Sequence, residues 1–426
     1  MKNLDVLSAL FVGIDVSAAS NVVCAMDFHS NKLLEFSVSN NHPGAAEIAE
    51  RICALMDSSS FKTVIFALES TSFYNIHIAN FLASDQSLMP FNPFVYCLNP
   101  KMTANYRKSF IGMDKTDPKD AFLLADFARV GRINTHPWRG SQFLALQRLT
   151  RHRLHIVEAM SREKAYMVSN IFLKFSELSV LKEDQHPFTS NYTATAEAVL
   201  TEMLTVDELV NMHVEELISF ICNASRNRFH DPEKVAAILQ KAARDSYRLD
   251  RCLYEPLTIS IASSFNLLSA YQAEIKSIEK AIEKTIRGLN HSEYQCLLSI
   301  PGIGPVYSSG ILAEIGSISA FHSQDAIAKY AGLVWKQNQS GNFQAEDTSL
   351  SKAGNRYLRY YLIEAANSVR HHIPEYNHFY HKKLAEVKTH QHKRALALTS
   401  RKLIRLIYGL LDKNQLYSQM RVVSTT

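Results

Sequence analysis

Short apolar runs separated by polar turns fill the first hundred residues of the chain. The runs predict strands over residues 10–15, 21–27, 32–39, 63–68 and 94–98. Apolar residues at helical spacing predict helices over residues 45–56 and 73–82. Three early strands joined by short turns, then helix, strand, helix and strand, predict a mixed sheet with helices packed against it.

Beyond residue 140 the apolar spacing becomes helical and the predicted elements are longer. Residues 144–173 and 264–289 each predict one amphipathic helix. The spacing suits an antiparallel coiled-coil arm formed by these two helices, and it suits an ordinary pair of core helices equally well. Residues 180–260, which lie between them, are more acidic and carry turn signals, so we interpret them as a helical insertion.

A glycine-containing turn separates two apolar helical runs near residue 300. Gly302 and Gly304 lie in the sequence PGIGP, and this arrangement is the helix-hairpin-helix pattern. Glycine lets backbone amides approach a phosphate closely, and the N-terminus of a following helix favours an anion. The pattern therefore predicts nucleic-acid binding, and a plain tight turn between helices has the same signature.

Lone acidic residues stand at the ends of three predicted elements. Asp15 ends the first strand in FVGIDVS, and Glu69 follows the fourth strand in VIFALES. Asp117 and Asp120 lie three residues apart at the start of an apolar helix predicted over residues 118–130. Hard divalent cations take oxygen ligands, so these four carboxylates predict a metal site.

A structural role is an alternative for the last two acids. Asp117 precedes Pro118, and proline is favoured at the first position of a helix, with aspartate as the N-cap before it. Asp120 in the first turn would complement the helix dipole. On these residues alone, the structural role and the metal-binding role fit equally well.

Length and charge extend this picture. With 426 residues, the chain exceeds the ~250–300 residues that one core accommodates, so we expect at least two domains. The net charge is only +5, but residues 101–164 hold 13 Lys and Arg against 6 Asp and Glu, and residues 352–405 hold 12 against 3. Such stretches favour polyanion binding, with a solvated basic helix face as the alternative.

The sequence lacks two other common signatures. Its six cysteines are far apart and form no Cys-x-x-Cys pair, which argues against a zinc knuckle. No signal peptide or long apolar span stands out, so we expect a cytoplasmic protein with reduced thiols and no membrane partner. The histidines between residues 371 and 392 show no ligand spacing and lie among Lys and Arg, which favours a basic helical surface.

Seven short motifs occur in an order that resembles one known family. They are GIDVS, ALEST, NPKMTANYRKS, KTDPKDA, PGIGP, AGLVWKQNQSG and SKAGNRYLR. Together they are similar to the insertion-sequence transposases of the IS110 family, which includes the Piv-type invertases and the bridge-RNA-guided recombinases. The likeness covers about residues 10–175 and 290–410 and leaves the insertion unmatched.

The resemblance implies an α/β plus α architecture in three parts. Residues 1–143 would form a RuvC-like mixed-sheet domain, and the predicted order of strands and helices matches the ribonuclease H type of sheet. Residues 144–290 would form a coiled-coil arm that carries the helical insertion. Residues 291–426 would form a mainly helical C-terminal transposase domain with the helix-hairpin-helix.

The resemblance also implies a recombination chemistry. The four family acids that bind Mg²⁺ match Asp15, Glu69, Asp117 and Asp120. The family nucleophile, a serine that forms a covalent phosphoserine with DNA, matches Ser340 in the sequence SG. Relatives of the bridge type act as tetramers, in which the acids of one subunit meet the serine of another.

The chain departs from the family pattern in two places. Many relatives carry a lysine soon after the first aspartate, whereas this chain has SAAS at residues 17–20. The segment that follows Ser340 is slightly long and lacks the usual glycine near Leu350. This second departure leaves Ser351 as a further, weaker candidate for the nucleophile.

The expected partners are target and donor DNA, and the resemblance adds a structured guide RNA and a homo-oligomer, either a dimer or a tetramer. Basic side chains complement a nucleic-acid backbone. Those expected to contact it are Arg107, Lys108, Arg148, Arg151, Arg153, Lys352, Arg356 and Arg359. Arg356 and Arg359 would lie near the scissile phosphate, and exposure to solvent alone explains them equally well.

Two other functions fit the same residues. One is a RuvC-like junction nuclease that uses water and forms no covalent intermediate. The other is a non-catalytic scaffold that binds RNA or DNA and whose acids are structural. Trapping a protein–DNA adduct separates recombinase from nuclease, and metal-dependent strand transfer excludes the scaffold.

Overall fold

The computed structural model divides the chain into two units. The first comprises Met1–Gln147, Leu289–Ile303 and Ile311–Thr426, and the second comprises Arg148–Gly288 and Gly304–Gly310. The residues that the structure describes are 5–70, 73–110, 114, 116–131, 133, 137–182, 185–203, 205–289, 291–335, 339–340, 343–344, 350–386 and 389–418.

Strands are concentrated near the start of the chain, and helices make up most of the rest. The strands are β1 (Ala9–Val16), β2 (Ser20–Met26), β3 (Lys32–Ser39), β4 (Thr63–Glu69), β5 (Phe94–Leu98), β6 (Gln339–Ser340) and β7 (Phe343–Gln344). The helices are α1 (His42–Asp57), α2 (Asn75–Ser84), α3 (Pro100–Arg107), α4 (Asp117–Arg129), α5 (Ser141–Lys174), α6 (Ser176–Val180), α7 (Ala194–Glu202), α8 (Val206–Asn211), α9 (Val214–Ser225), α10 (Pro232–Asp245), α11 (Arg251–Arg287), α12 (His291–Leu298), α13 (Pro305–Ile315), α14 (Gln324–Tyr330), α15 (Arg356–His372), α16 (Pro374–Glu386) and α17 (Gln391–Asp412). The predicted mixed sheet and mainly helical remainder are confirmed.

A five-stranded sheet with the order β3-β2-β1-β4-β5 organises the N-terminal part of the first unit. β2 pairs antiparallel with β1 and β3, whereas β4 pairs parallel with β1 and β5. The central strands β1 and β4 are buried along nearly their whole length. Helices cover both faces of these strands, which explains why their sequences are continuous apolar runs without polar alternation.

The two faces of β1 contact different helices. Val12 and Ile14 belong to the core that includes residues of α1 and α2. Phe11 belongs to the core on the other face, to which α4 contributes Leu124. Because side chains alternate along a strand, Asp15 lies on the same face as Phe11 and therefore on the α4 side.

The second unit is helical and is organised around α5 and α11. Arg153 of α5 forms an ion pair of 2.7 Å with Glu279 of α11. Further along α5, Glu163 accepts a hydrogen bond of 2.5 Å from Ser264 of α11. The residue numbers of the contacts rise along one helix as they fall along the other, so the two helices are antiparallel.

The segment between these long helices packs as a bundle of short helices. Its core joins Met167 and Ile171 of α5 with Phe265 of α11. Leu200 of α7 and Leu239 of α10 belong to the same core and are fully buried. The insertion therefore shares one hydrophobic core with the two long helices.

One predicted helix boundary was wrong. The helix predicted over residues 264–289 is α11, which begins at Arg251 and continues through Pro256, so the insertion ends near residue 250 and not near residue 260. Proline removes only one backbone hydrogen bond near the start of so long a helix. The helix predicted over residues 118–130 is confirmed as α4, to within one residue at each end.

An arginine joins the sheet-bearing part of the first unit to its C-terminal part. Arg139 Nη2 donates a hydrogen bond of 2.9 Å to the carbonyl oxygen of Ile315. The guanidinium occupies the space that a side chain on Gly316 would need, since a Cβ there would lie 0.9 Å from Arg139 Nη1. Gly316 also has a φ of +71°, a conformation that favours glycine.

Among the residues that the structure describes, no helix has the length and apolarity needed to cross a membrane.

Candidate metal centre and nucleophile loop

Asp15 and Glu69 lie at the same edge of the sheet. β1 and β4 are parallel neighbours, and Ile14 is paired with Leu68. The next residue along each strand is the acid, so the two carboxylates end adjacent strands side by side. Carboxyl ends of parallel strands are a common position for ligand sites in α/β sheets.

Helix α4 brings two more acids to this edge. Asp117 and Asp120 lie in its first turn. The helix packs directly on β1 at Gly13, where a Cβ would lie 2.0 Å from the carbonyl oxygen of Ala121 and 2.4 Å from the backbone nitrogen of Ala125. Only glycine permits this approach, so Gly13 sets the distance between the strand that carries Asp15 and the helix.

The four carboxylates interact electrostatically. Burial is the largest of the effects that raise the pKa of Asp15 to about 6. The negative charges of Asp120, Asp117 and Glu69 raise this pKa further, in that order, and Arg107 lowers it. Such mutual repulsion requires the groups to lie near one another, so the structure brings together the four acids that the sequence placed on separate elements.

Helix α3 supplies partners for two of these acids. Thr103 Oγ1 donates a hydrogen bond of 2.8 Å to Glu69 Oε2. Arg107, the last residue of α3, forms an ion pair with Asp120. Sequence analysis predicted no helix between the fifth strand and α4, and it therefore missed Thr103 and the position of Arg107 among the acids.

A buried network fixes α3 against α4. The Tyr106 hydroxyl donates a hydrogen bond of 2.6 Å to Asp126 Oδ2, and Arg129 Nε donates one of 2.8 Å to Asp126 Oδ1. Asp126 is only 5% exposed, so both bonds are shielded from water. Because Tyr106 precedes Arg107, this network also fixes the backbone from which the guanidinium reaches Asp120.

The chemistry of the donor set suits a hard divalent cation. Carboxylate oxygens are the ligands that Mg²⁺ and Ca²⁺ prefer. Within the described part of the chain, no three His, Cys, Asp or Glu side chains converge closely enough to hold an ion in their present positions. Two of the four acids are instead engaged by Thr103 and Arg107. The residues fit such an ion in chemistry, and holding one would require these side chains to rearrange.

The capping alternative for Asp117 was wrong. Thr116 occupies the N-cap position of α4, and Asp117 is the first residue of the helix. The Asp117 side chain is exposed, and its charge contributes to the raised pKa of Asp15. A favourable interaction of Asp120 with the helix dipole remains compatible with its position.

Ser340 lies in a short hairpin of the first unit. β6 and β7 pair antiparallel, with Ser340 opposite Phe343. A bridge between Trp335 and Leu350 closes the base of the loop. The side chain of Ser340 lies outside the described part of the structure, so its role as nucleophile stays a prediction.

Ser351, the other candidate nucleophile, has a local contact. Its Oγ accepts a hydrogen bond of 3.4 Å from the backbone of Ala353, as a turn residue does.

Arg359 supports both ends of this loop. Its Nη1 donates hydrogen bonds of 3.0 Å to the carbonyl oxygen of Ala331, before the hairpin, and to that of Lys352, after it. Gly332 makes room for the guanidinium, because a Cβ there would lie 2.7 Å from Arg359 Nη1. The structure thus gives Arg359 a supporting contact, and its predicted contact with a phosphate stays a prediction.

A buried acid anchors the helix that follows the loop. Asn355 Oδ1 caps α15 by accepting hydrogen bonds from the backbone nitrogens of Tyr357 and Leu358. Asn355 Nδ2 donates a hydrogen bond of 2.6 Å to Glu314 Oε2, and Glu314 is only 3% exposed. The SKAGN sequence is therefore explained in part by the geometry of this helix start.

The other basic residues expected to bind nucleic acid have different surroundings. Arg153 is committed to its ion pair with Glu279, and Arg151 is half-buried. Four are exposed, and these are Lys108, Arg148, Lys352 and Arg356. Exposure agrees with a role in nucleic-acid binding but does not distinguish it from simple solvation.

The two glycines of the PGIGP sequence also differ. Gly302 has a φ of +93°, and a Cβ there would lie 2.9 Å from Val369 Cα of α15. Gly304 has open space around its Cβ position. Packing against α15 therefore explains Gly302, while phosphate binding by either glycine stays a prediction.

Comparison with known protein families decides the class of the molecule. A model of the DEDD transposases of IS110 elements, described as "Transposase", matches residues 12–172, the span that contains all four acids. A second model, described as "Transposase IS116/IS110/IS902 family", matches residues 294–381, the span that contains Ser340. Together the two models cover more than half of the chain.

The chain belongs to the IS110 family of transposases. As a transposase it is an enzyme of DNA recombination, and its substrates are DNA. A DEDD domain also indicates the use of a divalent metal ion.

Relatives of this IS110-family chain include proteins of insertion elements, matched over nearly their whole length, and a gene-inverting protein, matched over part of its length. The "uncharacterized 42 kDa protein" of insertion element IS900 from Mycobacterium paratuberculosis is 25% identical over 96% of this chain and 97% of its own length. The "uncharacterized 44.8 kDa protein" of IS116 from Streptomyces clavuligerus is 23% identical over 98% of each chain. A "pilin gene-inverting protein" of Moraxella bovis is 28% identical over 43% of this chain and 58% of its own length.

One structurally important residue carried a signal that sequence analysis overlooked. Gly13 interrupts the apolar run of the first strand, and a glycine inside a strand typically marks a close approach of another backbone. Thr103 carried no comparable signal, because its contact with Glu69 depends on how α3 packs. Only the fold distinguishes Thr103 from the other threonines of the chain.

Proposed function

We propose that this transposase is the recombinase of a mobile element and that it cuts and rejoins DNA through a covalent phosphoserine at Ser340. The four acids, Asp15, Glu69, Asp117 and Asp120, would bind Mg²⁺. Their electrostatic convergence is the observation that supports the proposal most strongly. Ser340 is favoured because its SG sequence lies in a hairpin within the matched transposase segment.

The chemistry requires charge stabilisation and a nucleophile. Mg²⁺ held by the four acids would supply the first, since a bound divalent cation neutralises charge that develops on phosphate oxygens during phosphoryl transfer. Ser340 Oγ forms a bond to phosphorus, and the bond between phosphorus and the leaving deoxyribose oxygen breaks. The serine hydroxyl gives up its proton, and the leaving oxygen gains one.

The second half of the reaction reverses the first on a new strand. A deoxyribose hydroxyl of the exchanged strand attacks the phosphoserine, and the serine hydroxyl is restored. The protein–DNA ester keeps the energy of the broken bond, so rejoining needs no nucleotide cofactor. The lack of a GxxxxGK[ST] sequence agrees with this requirement.

The proposal includes a guide RNA and an oligomer. The exposed basic residues would contact phosphates of DNA and of a structured RNA. A dimer or tetramer would let the acids of one subunit meet Ser340 of another. Sequencing the RNA that copurifies with the protein tests the first point, with one discrete structured species expected. Random cellular fragments would contradict a guide RNA.

Adduct formation tests the covalent step. The full-length protein is incubated with end-labelled junction DNA and Mg²⁺, and denaturing gels reveal labelled protein. Ser340→Ala is expected to abolish the adduct and to leave DNA binding unchanged, whereas Ser351→Ala, the matched control, is expected to retain it. An adduct that persists in Ser340→Ala and disappears in Ser351→Ala would transfer the role to Ser351.

The same experiment separates the recombinase from a nuclease that uses water. A nuclease would cleave the labelled DNA in the presence of Mg²⁺ without forming an adduct, even in the wild-type protein. Cleavage without adduct would therefore refute the phosphoserine proposal, while the metal role of the acids would survive.

A further inference from the structure

Arg107 lies among the carboxylates and not on open surface. Its side chain is 25% exposed, and that of its ion-pair partner Asp120 is 13% exposed. The charge of Arg107 also lowers the pKa of Asp15. The guanidinium therefore acts on two acids that come from different elements of the fold.

The position of Arg107 is set by the backbone of α3. Thr103, one turn earlier, is bonded to Glu69, and Tyr106 is bonded to Asp126. These contacts fix α3 to β4 and to α4. A long side chain on open surface can adopt many orientations. Arg107 instead projects from a helix that is hydrogen-bonded to both β4 and α4, the elements that carry Glu69 and Asp120.

The ion pair satisfies Arg107 incompletely. Its Nη2 meets Asp120 Oδ1, while its Nη1 is buried and has no hydrogen-bond partner among the described residues. A buried donor without a partner destabilises the arrangement. A two-pronged guanidinium–carboxylate pair satisfies two nitrogens of the arginine, and Arg107 does not form such a pair with Asp120.

Arg107 and a divalent cation compete for the negative charge of Asp120. A cation bound by this carboxylate repels a guanidinium placed beside it, and the repulsion is strong where the groups are partly buried. We propose that Arg107 is a built-in counter-cation, which neutralises part of the acidic cluster in the metal-free enzyme and gives up its ion pair with Asp120 when a divalent cation binds. This inference rests on the proposed metal role of the four acids.

Metal titration without nucleic acid tests the inference directly. Mn²⁺ is titrated calorimetrically into the full-length protein. Arg107→Gln is expected to lower the Kd for Mn²⁺ by about tenfold, because a competing positive charge has been removed from the site. Lys101→Gln removes a positive charge from an exposed position on the same helix, and its Kd is expected to stay within about twofold of the wild type.

Equal shifts in the two variants would overturn the inference, because the effect would then reflect net charge alone. A weaker affinity in Arg107→Gln would also overturn it, since Arg107 would then help to orient Asp120 for the metal. If the Gln variant does not fold, Arg107→Met carries the test. This variant also removes the charge but keeps an unbranched apolar stem in the partly buried position, so the same fall in Kd is expected and an unchanged Kd contradicts the inference.

Asp15→Asn separates this inference from the proposed function. If the wild type binds Mn²⁺ and Asp15→Asn does not, the metal site stands, and an unchanged Kd in Arg107→Gln then refutes only the role of Arg107. If the wild type binds no Mn²⁺, or if Asp15→Asn binds it equally well, the proposed metal site itself fails.

Discussion

Two charged sites in this molecule are built in opposite ways. Lys174, in the second unit, is 3% exposed, yet all three protons of its ammonium group have acceptors. They are donated to the carbonyl oxygens of Leu200 and Met203, each at 2.7 Å, and to Thr258 Oγ1 at 2.6 Å. The two carbonyls lie at the C-terminal end of α7, where the helix dipole favours a cation.

The acidic cluster of the first unit lacks such compensation. Its carboxylates repel one another enough to contribute to a pKa of about 6 for Asp15, and Arg107 is the opposing charge that reduces this shift. The comparison shows that the buried ammonium group has an acceptor for each of its protons, whereas the acidic cluster keeps like charges close together. Like charges that are kept close together are typical of sites that bind a ligand of opposite charge.

The largest effect is expected from variants that remove a charge from the acidic cluster. Asp15→Asn and Asp120→Asn are each expected to lower Mg²⁺-dependent DNA cleavage by about 10³-fold, because charge stabilisation of the phosphate is lost. Without metal, Asp15→Asn is expected to be at least as stable as the wild type, because like-charge repulsion is relieved, whereas Asp120→Asn is expected to be less stable, because Arg107 loses its ion-pair partner. Rates on labelled DNA and thermal unfolding measure the two effects. The control is Asp57→Asn, an exposed acid at the end of α1, and equal loss in this variant would contradict the account.

Gly13→Ala tests whether the acids depend on the approach of α4 to β1. The added Cβ would lie 2.0 Å from the carbonyl oxygen of Ala121, so the helix has to move. We expect the free energy of unfolding to fall by about 3 kcal/mol, as for overpacking in a core. Mn²⁺ affinity of the folded fraction should fall with it. Unchanged stability and affinity would show that this contact does not set the site.

Lys174→Met tests whether the buried lysine serves stability alone. The variant leaves two carbonyl oxygens and a hydroxyl without their donor, and we expect the free energy of unfolding to fall by about 2 kcal/mol. DNA cleavage per folded molecule should be unchanged, because Lys174 belongs to the core of the other unit. Chemical denaturation and cleavage rates give the two readouts, and a loss of cleavage without a loss of stability would contradict the structural role.

The smallest expected effect is a pH dependence that comes from Lys174. Burial lowers its pKa to about 8 in the folded protein, from 10.5 for an unperturbed lysine. Between these values the unfolded chain binds more protons, so stability should rise with pH in this window, by about 1 kcal/mol after allowance for its hydrogen bonds. The rise should be missing from Lys174→Met. Identical pH profiles for the two proteins would mean that the lysine is not perturbed.

The sheet and the acids could be predicted because each depends on local sequence. Continuous apolar runs predicted β1 and β4, and the acids that follow those runs had to lie at one edge once the strands were parallel neighbours. The start of α11 was not predictable in the same way, because Pro256 resembles a helix boundary in the sequence while the helix continues through it.

The partners of the acids could not be read from the sequence. Arg107 and Asp120 are separated by 13 positions in the chain and meet only because α3 folds back against α4. Basic residues in this stretch were expected to face nucleic acid, and nothing in their spacing distinguished Arg107 from Lys108. Ser340 shows the reverse case, since its assignment depends on the family resemblance and its short polar loop alone predicts only a turn.

Anomalous X-ray scattering from crystals of the protein soaked in Mn²⁺ tests the central claim most directly. The account predicts a peak within coordination distance of Asp15 together with Glu69 or Asp120, and a guanidinium of Arg107 turned away from Asp120. A peak at some other group of residues, or no peak at this edge of the sheet when Mn²⁺ is saturating, would contradict it.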